Sequence, residues 1–533
     1  MMQDMACAFS RSGSAFALSL VLTACGGGEA GTPVFGQAAQ RPDPVQPAQP
    51  VQPDALPAST TVAQQCSPDN PHADAANRGG SLSREKLWLR AYFDEAYLWR
   101  EQVPYVNADA YVSSDVPAAL NAYFHALKTP QVTPSGARRD QFSFSYPTQE
   151  WEQLSRGGVS LGYGLEWTQT ISASARRLRI AYVEPVGPAA QAGLQRGDEL
   201  ISVDGVSASV GDAAGVNRLN AALYPAAAGE AHGFVFQRNS GGQLSVTLSS
   251  AASVKQPVLM RQVFAATDGR QVGHMVFNDH IAPAEAQLIE AVEFFRQQGV
   301  SDLVLDLRYN GGGFLYLASQ LAYMIAGPAP TEGKVFEQLS FNNRRQADTQ
   351  SARARTPFYN TSCLLVGDNC TSERPLPSLG LKRVYVLSQA GTCSASEAII
   401  NGLRGVDVEV VLIGGRSCGK PYGFAGKSNC GISYFPMEFV GVNAKGFGDY
   451  ADGFVPAGSG GNGVPGCQVA DDLQHALGDP QEAMLAAALV HRISGQCPPR
   501  SLAHAQSAPG AADGSAWELR RSPLRSNRFL LPR

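Results

Sequence analysis

A serine and a lysine 26 residues apart carry the most legible chemistry in this chain. Ser394 lies in Thr392-Cys393-Ser394-Ala395-Ser396-Glu397, a segment that opens a helix after an apolar strand. Lys420 closes Ser417-Cys418-Gly419-Lys420, just past a second apolar run. A hydroxyl at a strand-to-helix turn is expected to be exposed, with a helix N-terminus beside it to stabilise developing negative charge. A buried lysine can act as its base, because desolvation disfavours the ammonium form. The chain has only eight lysines, so one at this place carries weight. The pair points to nucleophilic acyl chemistry of the serine-peptidase kind.

Neighbouring residues fit less specific roles. Glu397 follows Ser394 by three positions and reaches the same helix face, either to orient the pair or as the N3 partner of a capping box. Cys393 is expected to be buried or disulfide-bonded rather than nucleophilic, since no histidine stands in a motif that would partner it. Ser396 reads as a local backbone hydrogen-bonder. Asp306 and Arg308 read as a structural pair at a strand end.

The elements that must position these groups alternate between Val254 and Cys497. Residues 283–298 form an amphipathic helix pattern with proline at its start, Gly299 at its end and Ala284, Leu288, Val292 and Phe295 on one face. It feeds Leu303-Val304-Leu305-Asp306-Leu307, a continuous apolar run expected of a strand buried on both faces. Residues 384–387 and 410–413 repeat that pattern. Arg308-Tyr309-Asn310-Gly311-Gly312-Gly313 follows the first strand, and its glycines let backbone N–H groups approach a ligand closely. Upstream, residues 82–152 read as helical and aromatic. Trp88, Tyr92, Phe93, Tyr97 and Trp99 there are expected to form a packing face.

Composition bounds the remaining possibilities. A chain of 533 residues exceeds a single core, and a net charge of -4 gives no support for a nucleic-acid partner. Residues 15–24 form an apolar stretch too short to span a bilayer and suited to a signal peptide. It ends in Leu22-Thr23-Ala24-Cys25, which resembles the bacterial lipobox, so Cys25 is the expected lipidation site and membrane attachment through a lipid anchor follows. The Pro/Gln-rich stretch behind it is expected to be an extended stalk. Eight cysteines remain outside the leader, and an even number in an exported chain points to disulfides. Proximity in sequence favours Cys363 with Cys370 and Cys418 with Cys430. The absence of Cys-x-x-Cys and the scattered histidines argue against a metal, and no cofactor is expected.

Two resemblances complete the reading. Strand 179–183, the Ala-rich segment 188–194, Arg196-Gly197-Asp198 and a strand ending in Asp204-Gly205 resemble a PDZ domain, which binds a partner's C-terminus as an added strand. That resemblance implies Gly162, Tyr163, Gly164 and Leu165 as the carboxylate loop. With the PDZ upstream, Asp306-Leu307-Arg308-x-Asn310-x-Gly312-Gly313, Ser394-Ala395-Ser396-Glu397 and Gly419-Lys420 together resemble the C-terminal processing (tail-specific) protease family. It implies a Ser/Lys endopeptidase with Ser394 as nucleophile, Lys420 as general base and the amides of Ala395 and Gly312 as oxyanion hole. Glu397 matches a position where some relatives orient the dyad with a carboxylate. Pro421 and Phe424 depart from the glycine and glutamine common in that family, and the Ser-to-Lys interval is one residue longer.

The expected architecture is therefore multi-domain α+β. It comprises a lipoprotein signal peptide (1–25), a Pro/Gln-rich linker (26–80), an N-terminal helical domain (81–155) and a PDZ domain (156–252). A crotonase-like α/β protease core (253–498) and a basic tail (499–533) follow. The expected role is an envelope endopeptidase, on the periplasmic side and at the outer membrane, acting on proteins with accessible C-termini. The competing readings are a catalytically silent peptide-binding scaffold and acyl chemistry on small thioesters.

Overall fold

The computed structural model describes residues 55–171, 176–366, 369–456, 462–499 and 528–529. The expected signal segment, Cys25 and residues 26–54 of the expected linker lie outside the described residues. So does nearly all of the tail, and the side chains of Cys363 and Cys370 are likewise not described. No helix among the described residues is long and apolar enough to cross a membrane.

Helices α1 (Leu82–Ala96) and α2 (Val116–Ala126) form the N-terminal region. Ser81 caps α1 by accepting the Arg84 N–H, and Asp115 caps α2 by accepting that of Ala118. Trp88, Phe93 and Tyr97 are buried, with Trp88 against Tyr434 and Phe93 against Phe124. The aromatic stripe is packing, as its spacing predicted. These helices share one hydrophobic core with the C-terminal half of the chain rather than enclosing their own.

The expected linker ends earlier than residue 80. Ser59 donates its backbone N–H to Glu95, and Ser67 N–H and Asn70 Nδ2 donate to buried Glu85. A disulfide joins Cys66 to Cys430, which overturns the expected Cys418–Cys430 pair. Buried polar contacts and a covalent tie hold this stretch against the body, which composition alone did not show.

The middle of the chain is a separate core built on a sheet. Its strands run in the order β1 (Leu165–Ile171), β2 (Arg176–Val183), β3 (Glu199–Val203), β4 (Ala231–Gln237) and β5 (Gln243–Ser249). Leu178, Ile180, Leu200, Phe234 and Phe236 fill it from one face of each strand, beneath helix α3 (Ala213–Leu223). β1 is an edge strand, paired only with β2 among the described residues.

The C-terminal half is a six-stranded sheet, ordered β6 (Val258–Ala265), β7 (Gln271–Phe277), β8 (Val300–Asp306), β9 (Arg383–Ser388), β10 (Glu409–Gly414) and β11 (Gly466–Gln468). β6 and β7 are antiparallel and every later pairing is parallel. The three continuous apolar runs are β8, β9 and β10, at the sheet centre. Helix α4 (Ala284–Gln297) buries Ala284, Leu288, Val292 and Phe295, the face its spacing predicted. Parallel strands place their carboxyl ends at one edge, where ligands of such sheets bind. Both candidate catalytic segments leave the sheet there.

Candidate active site

Helix α5 (Ala395–Gly405) begins immediately after Ser394. Ser394 has φ +60° and ψ -113°, a backbone conformation that a non-glycine residue holds only when its surroundings enforce it. Its Oγ is buried and has no hydrogen-bond partner among the described residues. The hydroxyl is therefore covered rather than exposed as the sequence implied.

Glu397 is the centre of the site. Its Oε2 accepts the N–H of Ser394 at 2.9 Å and that of Lys420 at 2.8 Å. Its Oε1 accepts the Gly419 N–H at 2.8 Å and the Ser417 hydroxyl at 2.6 Å. Two amides on one oxygen lie within about 6 Å of each other, so one carboxylate brings together the serine and lysine backbones. The capping-box bond to Ser394 and the bonds to the Lys420 segment thus meet in one residue. Burial pushes the Glu397 carboxyl up, and its four donors oppose that shift without cancelling it.

Lys420 is completely buried. Its Nζ lies 4.6 Å from the ring centroid of Phe424 and 5.3 Å from that of Phe142. The family's usual glutamine position is therefore an apolar wall here, lined on the other side by a residue from the N-terminal region. Phe142 had no sequence signal, because nothing local links it to a lysine nearly three hundred positions away.

The glycine run is anchored from behind. Asn310 Oδ1 accepts the Gly312 N–H at 2.9 Å and faces His280 Nδ1 at 2.9 Å, while its Nδ2 donates to the Phe277 carbonyl. The Gly312 amide, expected in the oxyanion hole, is held here by Asn310. The Ala395 amide stands at the first position of α5, where helix N–H groups lack intrahelical partners. Gly313 must be glycine, since its φ is +141° and a Cβ would meet the His280 carbonyl at 2.2 Å. Residues Arg528–Phe529 pair in parallel with Gly313–Phe314.

Asp306 and Arg308 are the structural pair the sequence implied. The buried guanidinium contacts Asp306, Asp471 and Glu482, and Arg196 reaches Asp471 and the Tyr309 hydroxyl. In the middle unit, Gly162 ends a strand and Leu165 begins β1. Tyr163 is buried, and its hydroxyl donates to the Ala222 carbonyl of α3. Cys393, Glu397 and Cys418 cluster closely enough for a metal, but both sulfurs are consumed in a Cys393–Cys418 disulfide.

His280 gives the loop a pH dependence. Burial holds its imidazole down at about 3, so it is neutral in the folded chain at neutral pH. The unfolded chain binds that proton near pH 6.5, so the stability contribution is complete above 6.5 and drains away as pH falls toward 3. Melting temperature is expected to drop between pH 7 and 4, and less steeply for His280→Gln. Equal slopes would remove His280 as a source of the acid loss.

This fold and site join a PDZ-like unit to a peptidase-like segment. Residues 271–423 match peptidase family S41 and residues 179–219 match the PDZ domain. The chain resembles curated proteins named carboxyl-terminal-processing protease. It is 24% identical over 279 residues to the carboxyl-terminal-processing protease of Picosynechococcus sp., covering 50% of this chain and 56% of that protein. With the protein of the same name from Synechocystis sp. it is 26% identical over 275 residues, covering 50% and 55%. The chain thus spans about half the length of the curated relatives it matches. The crystal structure of a candidate S41 protease from Bacteroides fragilis shares the fold at a TM-score of 0.55 and 22% identity, over 76% of this chain and 97% of that one.

Proposed function

We propose that this chain is a serine endopeptidase of the bacterial cell envelope that engages protein substrates by their C-terminal tails. Ser394 attacks the scissile carbonyl, and uncharged Lys420 takes its proton and returns it to the leaving amine. Water then hydrolyses the acyl-enzyme by the same route in reverse. The Ala395 amide at the start of α5 stabilises the oxyanion, and Gly312 joins it when the substrate oxygen replaces Asn310 as acceptor. The observation that carries this reading is the single carboxylate, Glu397, holding the backbones of both dyad residues. Edge strand β1, entered through the loop of Gly162, Tyr163, Gly164 and Leu165, offers the ladder on which a C-terminal tail adds as a strand. Lipidation at Cys25 anchors the protein at the outer membrane.

The test is cleavage of an unfolded protein by the full chain, with the substrate C-terminus either free or amidated. Turnover is expected, and faster with the free carboxylate. Binding of the free C-terminus without turnover at any pH would instead identify a peptide-binding scaffold.

A further inference from the structure

We propose that the Cys393–Cys418 disulfide is a positioning element of the active site, so that catalytic competence depends on its oxidation. The inference rests on the Ser394/Lys420 reading above. Cys393 immediately precedes Ser394, and Cys418 precedes Lys420 by two residues, so the bridge ties the two catalytic segments directly. Its Cα atoms are 5.1 Å apart across a sequence separation of 25.

Three observations set this bridge apart from a general staple. First, it is built into the site's own hydrogen bonding. The Cys393 N–H donates to the Asn310 carbonyl at 3.1 Å and the Cys418 N–H to the Thr392 carbonyl at 3.0 Å. Second, the Cys418 sulfur lies 3.3 Å from Glu397 Oε2, the oxygen that accepts the Ser394 and Lys420 amides. Reduction places a thiol against that oxygen, where it competes as a donor, and any thiolate repels the carboxylate. Third, the strained Ser394 backbone is the next residue along, and such a conformation persists only while its neighbours hold it. Two free thiols also need more room than a bonded sulfur pair, in a closely packed interior.

Access is asymmetric. Cys393 is buried whereas Cys418 is half-buried, so an external thiolate reaches the bridge at the Cys418 sulfur. A dithiol reductant attacks there, and its second thiol resolves the mixed disulfide. The products are two cysteine thiols and the oxidised cyclic reductant, with two electrons and two protons transferred. A disulfide oxidant reverses the exchange. The other described bridges, Cys66–Cys430 and Cys467–Cys497, do not flank either catalytic residue.

The experiment equilibrates the full chain in graded dithiothreitol buffers. It measures kcat and KM on an unfolded protein, and reads the state of each cysteine by alkylation and mass spectrometry. Expected is a fall in kcat of tenfold or more that tracks opening of the Cys393–Cys418 bridge, with KM changed less than threefold and recovery on reoxidation. Cys393→Ala/Cys418→Ala is expected to match the reduced wild type and to ignore the reductant. Cys467→Ala/Cys497→Ala serves as the control for loss of a bridge elsewhere and is expected to keep kcat. If the Cys393/Cys418 variant fails to fold, the wild-type titration decides. A folded Cys393/Cys418 variant with wild-type kcat, or full kcat in wild type with that bridge open, overturns the proposal. Inactivity of the fully oxidised wild type overturns the peptidase reading instead, so the two failures are distinguishable.

Discussion

Ser394→Ala and Lys420→Ala are each expected to remain folded and to lose hydrolysis of an unfolded protein by on the order of 10³-fold or more, to the background rate. Alanine at residue 394 removes the nucleophile but keeps the same backbone strain, so melting temperature should barely move. At residue 420 the sharper substitution is Lys420→Arg. Arginine keeps a long cationic side chain between Phe142 and Phe424, but it cannot give up its proton at any working pH. It should therefore be as inactive as alanine, which separates a base from a residue that only fills space or supplies charge. Because the amine must be uncharged to accept a proton, the wild-type rate should climb with pH where chemistry is rate-limiting. Steady-state rates across pH, paired with thermal melts, check all of this. Wild-type turnover by folded Lys420→Arg would strike out the assigned base.

How much of the site could be read beforehand depends on whether its determinants are local. The runs at residues 303–307, 384–387 and 410–413 are apolar without alternation because parallel strands are covered on both faces, so each is its own signal. The face of α4 is equally self-contained. Asn310 was legible as part of the glycine motif, but not that its side chain would hold Gly312, which depends on the neighbouring strand β7 and His280. The expected pairing of Cys418 with Cys430 failed for a related reason. β9 and β10 are adjacent and parallel, so the chain leaving Ser388 and the chain leaving Gly414 emerge side by side. Cys393 and Cys418 meet there, although Cys430 is closer to Cys418 in sequence. Topology would have predicted that pairing where proximity could not. Phe142 and Cys66 join the story from the N-terminal region, across separations that no local pattern encodes.

Glu397→Gln is expected to reduce kcat by about 10²-fold or more while destabilising the fold less than Glu397→Ala, and that contrast is the informative result. The carboxylate has no exposed surface, and burial raises its folded-state pKa above the ordinary glutamate value. The sign of the linkage follows. A carboxyl with a raised folded pKa supports the fold most fully below its unfolded pKa, and that support is lost as pH rises through the folded value. The ionised carboxylate therefore burdens the fold relative to the protonated carboxyl, despite its four donors. Glutamine removes the burden, so the stability difference should move in the variant's favour as pH increases from 4 to 8. It also replaces one acceptor oxygen with an NH₂ group, which must face two of the donors from Ser394, Ser417, Gly419 and Lys420. With the NH₂ at the Oε2 position the two catalytic backbones lose their common acceptor, and at the Oε1 position Ser417 and Gly419 lose theirs beside Lys420; either loss should fall on kcat rather than on KM. Glu397→Ala abandons all four donors, at about 1–3 kcal/mol for each one left buried and unpaired, so it should damage the fold as well. Melts and steady-state kinetics of both variants between pH 4 and 8 give the comparison. A Gln variant that kept full kcat would mean the dyad does not rely on this carboxylate for its geometry. Burial disfavours the ionised form of Glu397, yet its Oε2 joins the backbones of Ser394 and Lys420, which is why its removal should harm turnover most.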